Sequence, residues 1–552
     1  MTSANPQPST SATRTRPAPL SNVATLLACL SPAALAVVLF FPALSAGYIG
    51  DDWAILTLAR HSGSPFAYFL ADHSATYSYR PNGVLVWHLV TVFFDDAAWP
   101  QYLVQIGLHA INAALLTLLL LRLRANRWIA LLLGVIYALH PVGFGTVLWL
   151  SARYDLLTVG GVLALLLSMD KWLLRERGSL LLIVFSAAWA AGSKETALAV
   201  VPAVFGWILF CRRKGKLTAI SAALLPFLLA LLARWWIFGS SGLDRTETGV
   251  GLVESLMEGV LLWLDLLPTV VFDTSLPRLL SLFVMLIAGA ILSIAFWRQL
   301  RTADEHHTRQ RALIAGASLL LMPALLQAPI TSYMLSLPSP LSNTTNLRFY
   351  YMALAGLTIC LGQIPMPRLG PIRITIGAGL LLASITWAVA GWSAASHWQE
   401  MTAKPERLKV IKAVGQSLAA QPYEPGCVLY IENLPDSVGD LHAFLDPIAK
   451  SQQRTSAASL DCLVLSEKPS AMSITGSHRT TKNLPEGVPI RYARGQVLEA
   501  RSVLSGRLWM SFPGVLSPEE ARARPGTTIL RWDEVQSKLV RVTGASTSAG
   551  TN

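Results

Sequence analysis

The chain has 552 residues, of which 53% are hydrophobic and only 14% are charged. This composition excludes an ordinary soluble globular protein and is typical of a chain that crosses a membrane several times. The net charge of +12 does not indicate nucleic-acid binding, because residues 395–552 carry 18 Lys and Arg against 15 Asp and Glu. Most of the excess lies between apolar segments, where it sets topology and attracts anionic lipid headgroups.

The N-terminal segment 1–22 is rich in Ser, Thr, Pro and Ala and is predicted to be a disordered cytoplasmic tail. The apolar run that follows is long for a signal peptide and is interpreted as a retained first transmembrane helix. Eleven runs reach, or nearly reach, the length that crosses the hydrocarbon core at about 1.5 Å per helical residue. They lie at 24–46, 100–121, 128–148, 155–170, 179–192, 196–211, 218–238, 279–297, 312–328, 349–364 and 374–394.

Every second connection between these runs is rich in Lys and Arg, which keeps short loops in the cytoplasm. The basic groups are Arg122, Arg124 and Arg127; Lys171, Arg175 and Arg177; Arg212, Arg213, Lys214 and Lys216; Arg298, Arg301, Arg309 and Arg311; and Arg368 and Arg373. The intervening loops 47–99, 239–278 and 329–347 are longer, poorer in cations and predicted to lie outside. Residues 23–395 are therefore predicted to be an all-α polytopic membrane bundle of about eleven transmembrane helices, with the N-terminus inside.

After residue 395 the apolar runs become short and strand-like, as in Cys427 to Ile431, Cys462 to Leu465 and Arg507 to Phe512. Residues 396–540 are predicted to form a small C-terminal α/β extracytoplasmic domain, followed by a disordered tail at 541–552. An oxidising compartment could join Cys427 to Cys462, although the sequence does not fix their geometry.

Two adjacent carboxylates, Asp51 and Asp52, follow the first apolar run and are predicted to lie where the first helix leaves the membrane. A carboxylate pair at this boundary can act as a general base, a metal ligand or an ion site. The alternative is a solvated loop that only ends the helix. Two adjacent acids make a poor divalent-cation site without further ligands, so neither a metal nor another cofactor is favoured.

Four further stretches place charged or phenolic side chains on the same predicted outer side. They contain Arg80, which opens a helix at the membrane level of the acid pair; Arg153 and Asp155, after a hinge at His140-Pro141; Lys194 and Glu195, between two short runs; and Arg348 with Tyr351. Each stretch also has an alternative interpretation in which it does not bind substrate. These are an Arg80 that reaches lipid phosphates, an exposed Arg153–Asp155 ion pair, a Lys194–Glu195 hairpin cap and an aromatic anchor at Tyr351.

His109 and Asn112 lie three residues apart on one face of the second predicted span. Polar side chains at this spacing most often join helices through hydrogen bonds. We predict that role for them and no chemistry.

The motifs in chain order resemble those of the C-type glycosyltransferase superfamily. They are Asp51-Asp52, Tyr79-Arg80-Pro81, His140-Pro141, Ala152-Arg153-Tyr154-Asp155-Leu156-Leu157, Lys194-Glu195-Thr196 and Arg348-Phe349-Tyr350-Tyr351. The nearest resemblance, over residues 25–365, is to the transmembrane O-mannosyltransferases with tetratricopeptide repeats and their bacterial relatives. The chain departs from the repeat-bearing members because its C-terminal region lacks a 34-residue helical repeat, which leaves the acceptor open.

The resemblance implies a polyprenyl-phosphate sugar donor, an extracytoplasmic active site with an acidic motif in the first outer loop, and direct displacement with inversion. We expect Asp51 and Asp52 to be catalytic, without choosing which is the base. Arg80, Arg153, Asp155, Lys194, Glu195, Arg348 and Tyr351 are the expected substrate-binding residues. The expected location is a bacterial inner membrane with a periplasmic C-terminal domain, and the expected partners are the donor and membrane lipid.

Two other functions fit the same residues. A transporter or flippase would use them to bind an ion or a lipid-linked glycan during alternating access. It predicts charges near the bilayer midplane and internal symmetry, whereas the charges lie mostly at the predicted outer edge and no repeat is evident. The other alternative is an inactive membrane scaffold whose outer domain binds a partner.

Overall fold

The computed structural model describes part of the chain in detail. The described residues are 22–50, 52–53, 55–56, 59, 69, 79–95, 97–123, 125–175, 178–210, 215–238, 306–334, 347–364, 370–420, 423, 427–435, 438, 441–444, 462–467, 471–474, 489–491, 497–499, 511–512 and 516–542. The predicted loop 239–278 and the predicted span 279–297 lie outside these residues, as do 1–21 of the predicted N-terminal tail and most of loop 329–347. Arg541 ends a strand, so the predicted tail at 541–552 begins inside the fold.

The described residues are mostly helical. The helices are α1 (Asn22–Phe40), α2 (Pro81–Phe94), α3 (Ala98–Arg122), α4 (Arg127–Leu139), α5 (Val142–Leu148), α6 (Arg153–Arg175), α7 (Leu180–Ala191), α8 (Val201–Leu209), α9 (Lys216–Phe238), α10 (His306–Met334), α11 (Tyr351–Leu361), α12 (Gly370–Thr402), α13 (Pro405–Ala420) and α14 (Pro518–Ala523). Short 3-10 turns at Phe41–Ser45, Leu150–Ala152, Glu195–Val200 and Leu347–Tyr350 extend or precede several of them.

Five of these helical segments, in the described part of the chain, are long and apolar enough to cross a membrane. They are Asn22–Ser45, Ala98–Arg122, Leu150–Leu173, Lys216–Trp236 and Gly377–Thr402, and α4 with α5 makes a sixth if the bent pair is one span. The protein is thus an integral membrane protein with a helical bundle, as predicted. The count of eleven spans stays a prediction, because several of the other apolar helices, such as α2 and α7, are shorter.

The hinge predicted at His140-Pro141 is confirmed. Helices α4 and α5 meet there at 55°, since Pro141 has no N–H to continue the α4 ladder. The ring Nδ1 of His140 accepts from the backbone N–H of Val142 at 3.2 Å and so satisfies the start of α5. Helix α5 then ends at an extended Trp149, and the turn Leu150–Ala152 begins the next span.

A buried polar network ties three helices together, as predicted for His109 and Asn112. The hydroxyl of Tyr351, at the start of α11, lies 2.8 Å from Nδ1 of His109. Asn112 donates to the same hydroxyl at 3.2 Å and to the carbonyl of Leu156 on α6 at 2.9 Å. Because a polar group in an apolar interior is costly when unpaired, these bonds fix α11 against α3 and α6.

The C-terminal part contains a six-stranded mixed sheet. Its strands are β1 (Val428–Glu432), β2 (Cys462–Ser466), β3 (Ala471–Ile474), β6 (Ser511–Phe512), β7 (Thr527–Asp533) and β8 (Lys538–Arg541), in the order β6-β3-β2-β1-β7-β8; β4 (Pro489–Arg491) and β5 (Val497–Glu499) form a separate pair. Strand β1 runs parallel to both β2 and β7. The predicted strands at 427–431 and 462–465 are confirmed, and of the predicted strand at 507–512 the described residues contain β6.

One face of the sheet packs on the helix that links it to the membrane bundle. Leu429 and Ile431 of β1 belong to the same buried cluster as Ile411 and Val414 of α13. The cluster also contains Phe40 at the end of α1, so the sheet and the helical bundle share one continuous core.

A disulfide joins Cys427, just before β1, to Cys462 at the start of β2. Their Cα atoms lie 4.7 Å apart, which is within the usual range for the bond. The pairing that the sequence left open is thus formed, and it fixes the first residues of the two central parallel strands against each other.

Glu432, at the end of β1, is expected to make the stability of the sheet depend on pH. It is 5% exposed, and its carboxylate accepts from Arg522 at 2.5 Å and from Arg531 at 2.9 Å. Burial raises the pKa of Glu432, but the hydrogen bonds from Arg531 and Arg522 outweigh it and lower the pKa below its usual value. The folded state therefore binds fewer protons, and this stabilisation is present above about pH 4.3 and lost as pH falls through the folded pKa.

In the Glu432→Gln variant we expect about 2 kcal/mol less stability at pH 7 and a weaker loss between pH 5 and pH 3. Hydrogen exchange of the peptides over 428–432 and 527–533, measured in detergent across that range, checks both. Equal acid sensitivity of the two proteins would contradict this role of Glu432.

Candidate functional site

Asp52, which the structure describes, lies at the beginning of the membrane-spanning helix Leu150–Leu173. It is fully buried, and its Oδ1 accepts from the backbone N–H of Ser151 at 2.8 Å and from the Ser151 hydroxyl at 2.5 Å. Its Oδ2 accepts from the N–H of Ile49 at 3.2 Å. Because the first N–H groups of a helix lack partners and carry partial positive charge, this position favours an ionised carboxylate. Asp51 lies outside the described residues.

Arg80 does not pair with Asp52 but with Glu195. Its guanidinium forms two bonds to that carboxylate, at 2.7 and 3.3 Å, and its Cζ lies 5.2 Å from the centroid of the Tyr154 ring. The bidentate geometry is the strong form of this pair. Burial lowers the pKa of Arg80, but the charge of Glu195 outweighs it and raises the pKa, so the cation is held ionised.

A neighbouring backbone contact holds the Arg80 segment in place. Asn82, in the first turn of α2, donates its side-chain amide to the carbonyls of Ala188 and Trp189 at the end of α7. Its backbone N–H donates to the carbonyl of Gly192 at 3.1 Å. The end of the first outer loop is thereby fixed to the hairpin that carries Lys194 and Glu195.

Lys194 turns away from Glu195 and pairs with Asp155 on α6. The distance from Nζ to Oδ1 is 2.6 Å, with side-chain exposures of 5% and 9%. Burial lowers the pKa of Lys194; the Asp155 carboxylate opposes this effect, and the like charges of Arg80 and Arg348 add to it. An ammonium held close to other cations gains when an anion arrives.

Arg348 lies between two aromatic rings. Its guanidinium carbon is 4.0 Å from the Trp149 ring centroid and 4.8 Å from that of Phe349. The other neighbour of Phe349 is Lys194, whose Nζ is 5.2 Å from the same ring. Phe349 therefore brings Arg348 and Lys194 together, and Trp149 connects them to the turn on which Ser151 binds Asp52.

Arg153 lies apart from these cations, and its contact with substrate stays a prediction. It is fully buried; its guanidinium donates to Gln101 at 2.7 and 2.9 Å and to Gln105 at 3.2 Å, and its face lies 4.6 Å from the Trp87 ring. Residues two apart on a helix point in different directions, and Arg153 binds Gln101 whereas Asp155 binds Lys194. The alternative of an exposed Arg153–Asp155 pair is wrong, because both side chains are buried and have other partners.

Tyr351 also lies inside the bundle rather than among the cations. It is fully buried, and its hydroxyl is bonded to His109 and Asn112. This buried position does not fit an interfacial anchor, and contact of Tyr351 with substrate stays a prediction. Tyr351 fixes the segment that carries Arg348 and Phe349.

Arg234 is a member of the charged group that the sequence interpretation missed. It lies on α9, with Nη1 3.6 Å from Oε2 of Glu195. A signal was present, because an arginine within an apolar span is costly and almost always has a partner. Ser151 gave no such signal, since nothing in its surroundings along the chain indicates that it binds an acid from another segment.

A cavity opens beside this group of charges. Its volume is ≈ 30 Å³, about that of one water molecule, and it is partly open to solvent. Lys194, Glu195, Arg234 and Tyr79 supply its polar lining, whereas Ala191, Ala197, Leu198, Phe227, Ala230 and Leu231 supply an apolar wall from α7, α9 and the turn before α8. The lining places cations beside an apolar wall, which is the chemistry that complements an anionic head on a hydrocarbon chain, although the cavity itself is too small to hold such a ligand.

Metal ligation is a separate question. Within the described part of the chain, no three His, Cys, Asp or Glu side chains lie together in a group that could hold a metal ion. Metal independence stays a prediction.

Curated relatives of the chain are O-mannosyltransferases. Protein O-mannosyl-transferase Tmtc1 of Drosophila melanogaster is 33% identical over 177 residues, and Protein O-mannosyl-transferase Tmtc2 of the same species is 32% identical over 140 residues. The resemblance predicted from the sequence is confirmed. The matches cover 30% and 23% of this chain but only 21% and 15% of those proteins, so the chain spans well under two thirds of their length. No family model matches the chain.

Two solved structures of membrane glycosyltransferases align with about three quarters of the chain at low TM-scores. The archaeal oligosaccharyltransferase AglB from Archaeoglobus fulgidus, in complex with an inhibitory peptide and a dolichol-phosphate, has a TM-score of 0.40 and 11% identity over 77% of this chain and 63% of its own. ArnT from Cupriavidus metallidurans, in the apo state, has a TM-score of 0.38 and 12% identity over 75% of this chain and 83% of its own.

Proposed function

We propose that the protein is a membrane glycosyltransferase that moves a sugar from a polyprenyl-phosphate donor to an acceptor hydroxyl on the extracytoplasmic side. The observation that carries this proposal is the convergence of charged side chains from distant segments. Arg80, Lys194 and Arg348 meet beside the turn that binds Asp52. The similarity to O-mannosyltransferases supports the same reaction class.

The charge of the group suits a phosphate leaving group. Four cations, Arg80, Lys194, Arg234 and Arg348, face two carboxylates, Glu195 and Asp155. Within the described residues the group thus holds more cations than carboxylates, which favours an anionic ligand. The donor is a phosphodiester with one negative charge, and the second develops as the sugar leaves. The cations therefore stabilise the transition state more than the ground state.

In the proposed reaction the acceptor oxygen attacks the anomeric carbon while the bond from that carbon to the phosphate oxygen breaks. The acceptor proton passes to a carboxylate of the Asp51-Asp52 pair, and the polyprenyl phosphate departs with both electrons of the broken bond. A single displacement of this kind inverts the anomeric configuration. General-base assistance of this kind contributes about 10² to 10⁴ in rate.

We assign the remaining site residues the role of holding other side chains and helices in place, rather than contact with the substrate. Glu195 and Asp155 hold Arg80 and Lys194 in place and balance their charge before the donor binds. Arg153 joins the start of α6 to α3 through Gln101 and Gln105. Tyr351 joins the start of α11 to α3 through His109 and Asn112. We place the first isoprene units of the donor along the apolar wall of the cavity, next to Phe227 and Leu231.

The proposal is tested by incubating the purified protein in lipid with a panel of polyprenyl-phosphate sugars and candidate acceptors. We expect release of free polyprenyl phosphate with at least one donor, in step with the glycosylated product. A folded protein that releases none with any donor would contradict the proposal. Movement of the intact lipid-linked sugar across the bilayer without its cleavage would instead identify a flippase.

A further inference from the structure

Gly47 and Tyr48 lead into the acid loop, which is the segment that carries Asp51 and Asp52. Their backbone is held by side chains of α3 and of residues 398–407, the end of α12 and start of α13, which we call the root of the C-terminal domain. The N–H of Gly47 donates to the Thr402 hydroxyl at 2.9 Å, and the carbonyl of Gly47 accepts from the Tyr102 hydroxyl at 3.0 Å. The carbonyl of Tyr48 accepts from Nη1 of Arg407 at 2.9 Å. The N–H and carbonyl of Gly47 and the carbonyl of Tyr48 thus form hydrogen bonds with residues from distant parts of the chain.

The holding side chains also bind one another. Trp398 donates its ring N–H to the Tyr102 hydroxyl at 3.0 Å, and the Thr402 hydroxyl donates to the Trp398 carbonyl at 2.7 Å. Arg407 donates to the Thr402 carbonyl at 3.3 Å. Tyr102 and Thr402 are fully buried, and Trp398 and Arg407 are 3% and 4% exposed. A buried network whose members have their hydrogen bonds made is rigid.

Gly47 lies very close to the backbone of Thr402. A Cβ atom there would lie 2.6 Å from the Thr402 carbonyl oxygen, so only glycine allows the two backbones to approach this far. Asp52 follows five residues later and is anchored at its other side by Ser151. The acid loop therefore runs between two fixed points, one on the root of the C-terminal domain and one on the start of α6.

We propose that Thr402, Arg407 and Tyr102 are positioning residues for Asp52, so that the root of the C-terminal domain acts in sugar transfer by fixing the acid loop. This inference rests on the proposed function. Trp398 and Thr402 end α12 and Arg407 begins α13, which packs under the sheet. The network thereby connects the sheet to the reacting carboxylates without touching the donor site around Lys194.

A positioning role predicts a change in turnover rather than in donor binding. A general base that is displaced by about 1 Å loses up to about 10²-fold in rate, whereas the cations that hold the phosphate are unaffected. Thr402→Val keeps the shape of the side chain but removes the acceptor of the Gly47 N–H. We expect it to lower kcat about 10-fold to 100-fold and to leave the KM for the donor within about twofold.

Two control variants are matched to this change. Thr402→Ser keeps the hydroxyl and is expected to restore most of kcat. Thr386→Val makes the same substitution on the same helix, at an exposed threonine whose hydroxyl donates to the carbonyl four residues before it. It is expected to behave as the wild type. Tyr102→Phe, which removes the bond to the Gly47 carbonyl, is the second test variant should Thr402→Val fail to fold.

Hydrogen exchange of the peptide over residues 46–56 separates this inference from the proposed function, because it needs no substrate. We expect faster exchange of that peptide in Thr402→Val and Tyr102→Phe, and wild-type exchange in Thr402→Ser and Thr386→Val. If the wild-type protein has no transferase activity, the proposed function is contradicted. The exchange rates of the variants would then still show whether the network holds the acid loop. Unchanged exchange together with unchanged kcat in both test variants, or a change in KM alone, would overturn the positioning role.

Discussion

Replacing Asp51 or Asp52 with asparagine is expected to lower sugar transfer by about 10² to 10⁴ while the protein stays folded. The estimate is the usual contribution of a general base, and we expect it in both variants because the two acids are coupled, so that neutralising one lowers the proton affinity of the other. The initial rate of polyprenyl phosphate release, measured at saturating donor with the protein in lipid, checks this. Retention of the elution profile and melting temperature in detergent checks the fold.

The first control is another acid of the first outer loop. Asp95→Asn removes a carboxylate just after α2, where the backbone has φ 50° and asparagine is well tolerated. We expect its transfer rate to stay close to wild type. A loss as large as that of Asp52→Asn would mean that any neutralised acid in this loop disturbs the protein, and the acid pair would lose its special role.

A second control separates chemistry from anchoring. Asp52 binds the N–H and hydroxyl of Ser151, so Asp52→Asn weakens the loop as well as removing a charge. Ser151→Ala weakens the same anchor and keeps both carboxylates. We expect it to change the rate less than about tenfold, since only one of the two bonds to Oδ1 is lost. If it equals Asp52→Asn, Asp52 is an anchor and the proton acceptor must be sought at Asp51.

The general location of the site was predictable from the sequence because charges in an apolar chain need partners. A chain with 14% charged residues cannot leave Arg80, Lys194 or Glu195 facing lipid, and the positive-inside pattern puts all three on one side. Alternating basic loops therefore indicated which residues share a side. The helical bundle, the hinge at His140-Pro141 and the two central strands followed from the same simple patterns.

Which charges would pair was not predictable. Adjacent residues point in different directions, and so Lys194 binds Asp155 while Glu195 binds Arg80. The interpretation of Lys194 and Glu195 as one local pair is therefore wrong, and so is the idea that Arg80 faces the acid Asp52. These choices depend on how far each side chain reaches across the packed helices, which sequence spacing along separate elements does not contain.

The hydrogen-bond network around Gly47 was not predictable from the sequence either. Thr402 and Arg407 follow an apolar helix in a stretch of ordinary surface composition, and a threonine near a helix end most often bonds only to its own helix. Thr402 binds Gly47 across 355 positions of the chain, and Arg407 binds Tyr48 across 359. Only the docking of the C-terminal domain on the bundle brings them together.

The ion pair of Lys194 and Asp155 allows the roles of charge in stability and in catalysis to be separated. Both side chains are at least nine-tenths buried and their atoms lie 2.6 Å apart. Removing one partner leaves an uncompensated buried charge and costs about 3 to 5 kcal/mol. We therefore expect Lys194→Met and Asp155→Asn each to lower the melting temperature of the protein in detergent. The double variant has no bare charge and is expected to regain most of that loss.

Transfer activity should behave differently from stability in the same set of variants. Loss of one cation at a developing phosphate charge costs about 10² to 10³ in rate, so the double variant is expected to melt near wild type and still transfer slowly. Lys171→Met, the same substitution at an exposed lysine of α6, is the matched control and should change neither property. A double variant that recovers wild-type turnover would show that Lys194 only neutralises Asp155. Recovered stability without recovered turnover separates the two roles, because restored packing cannot replace the missing ammonium.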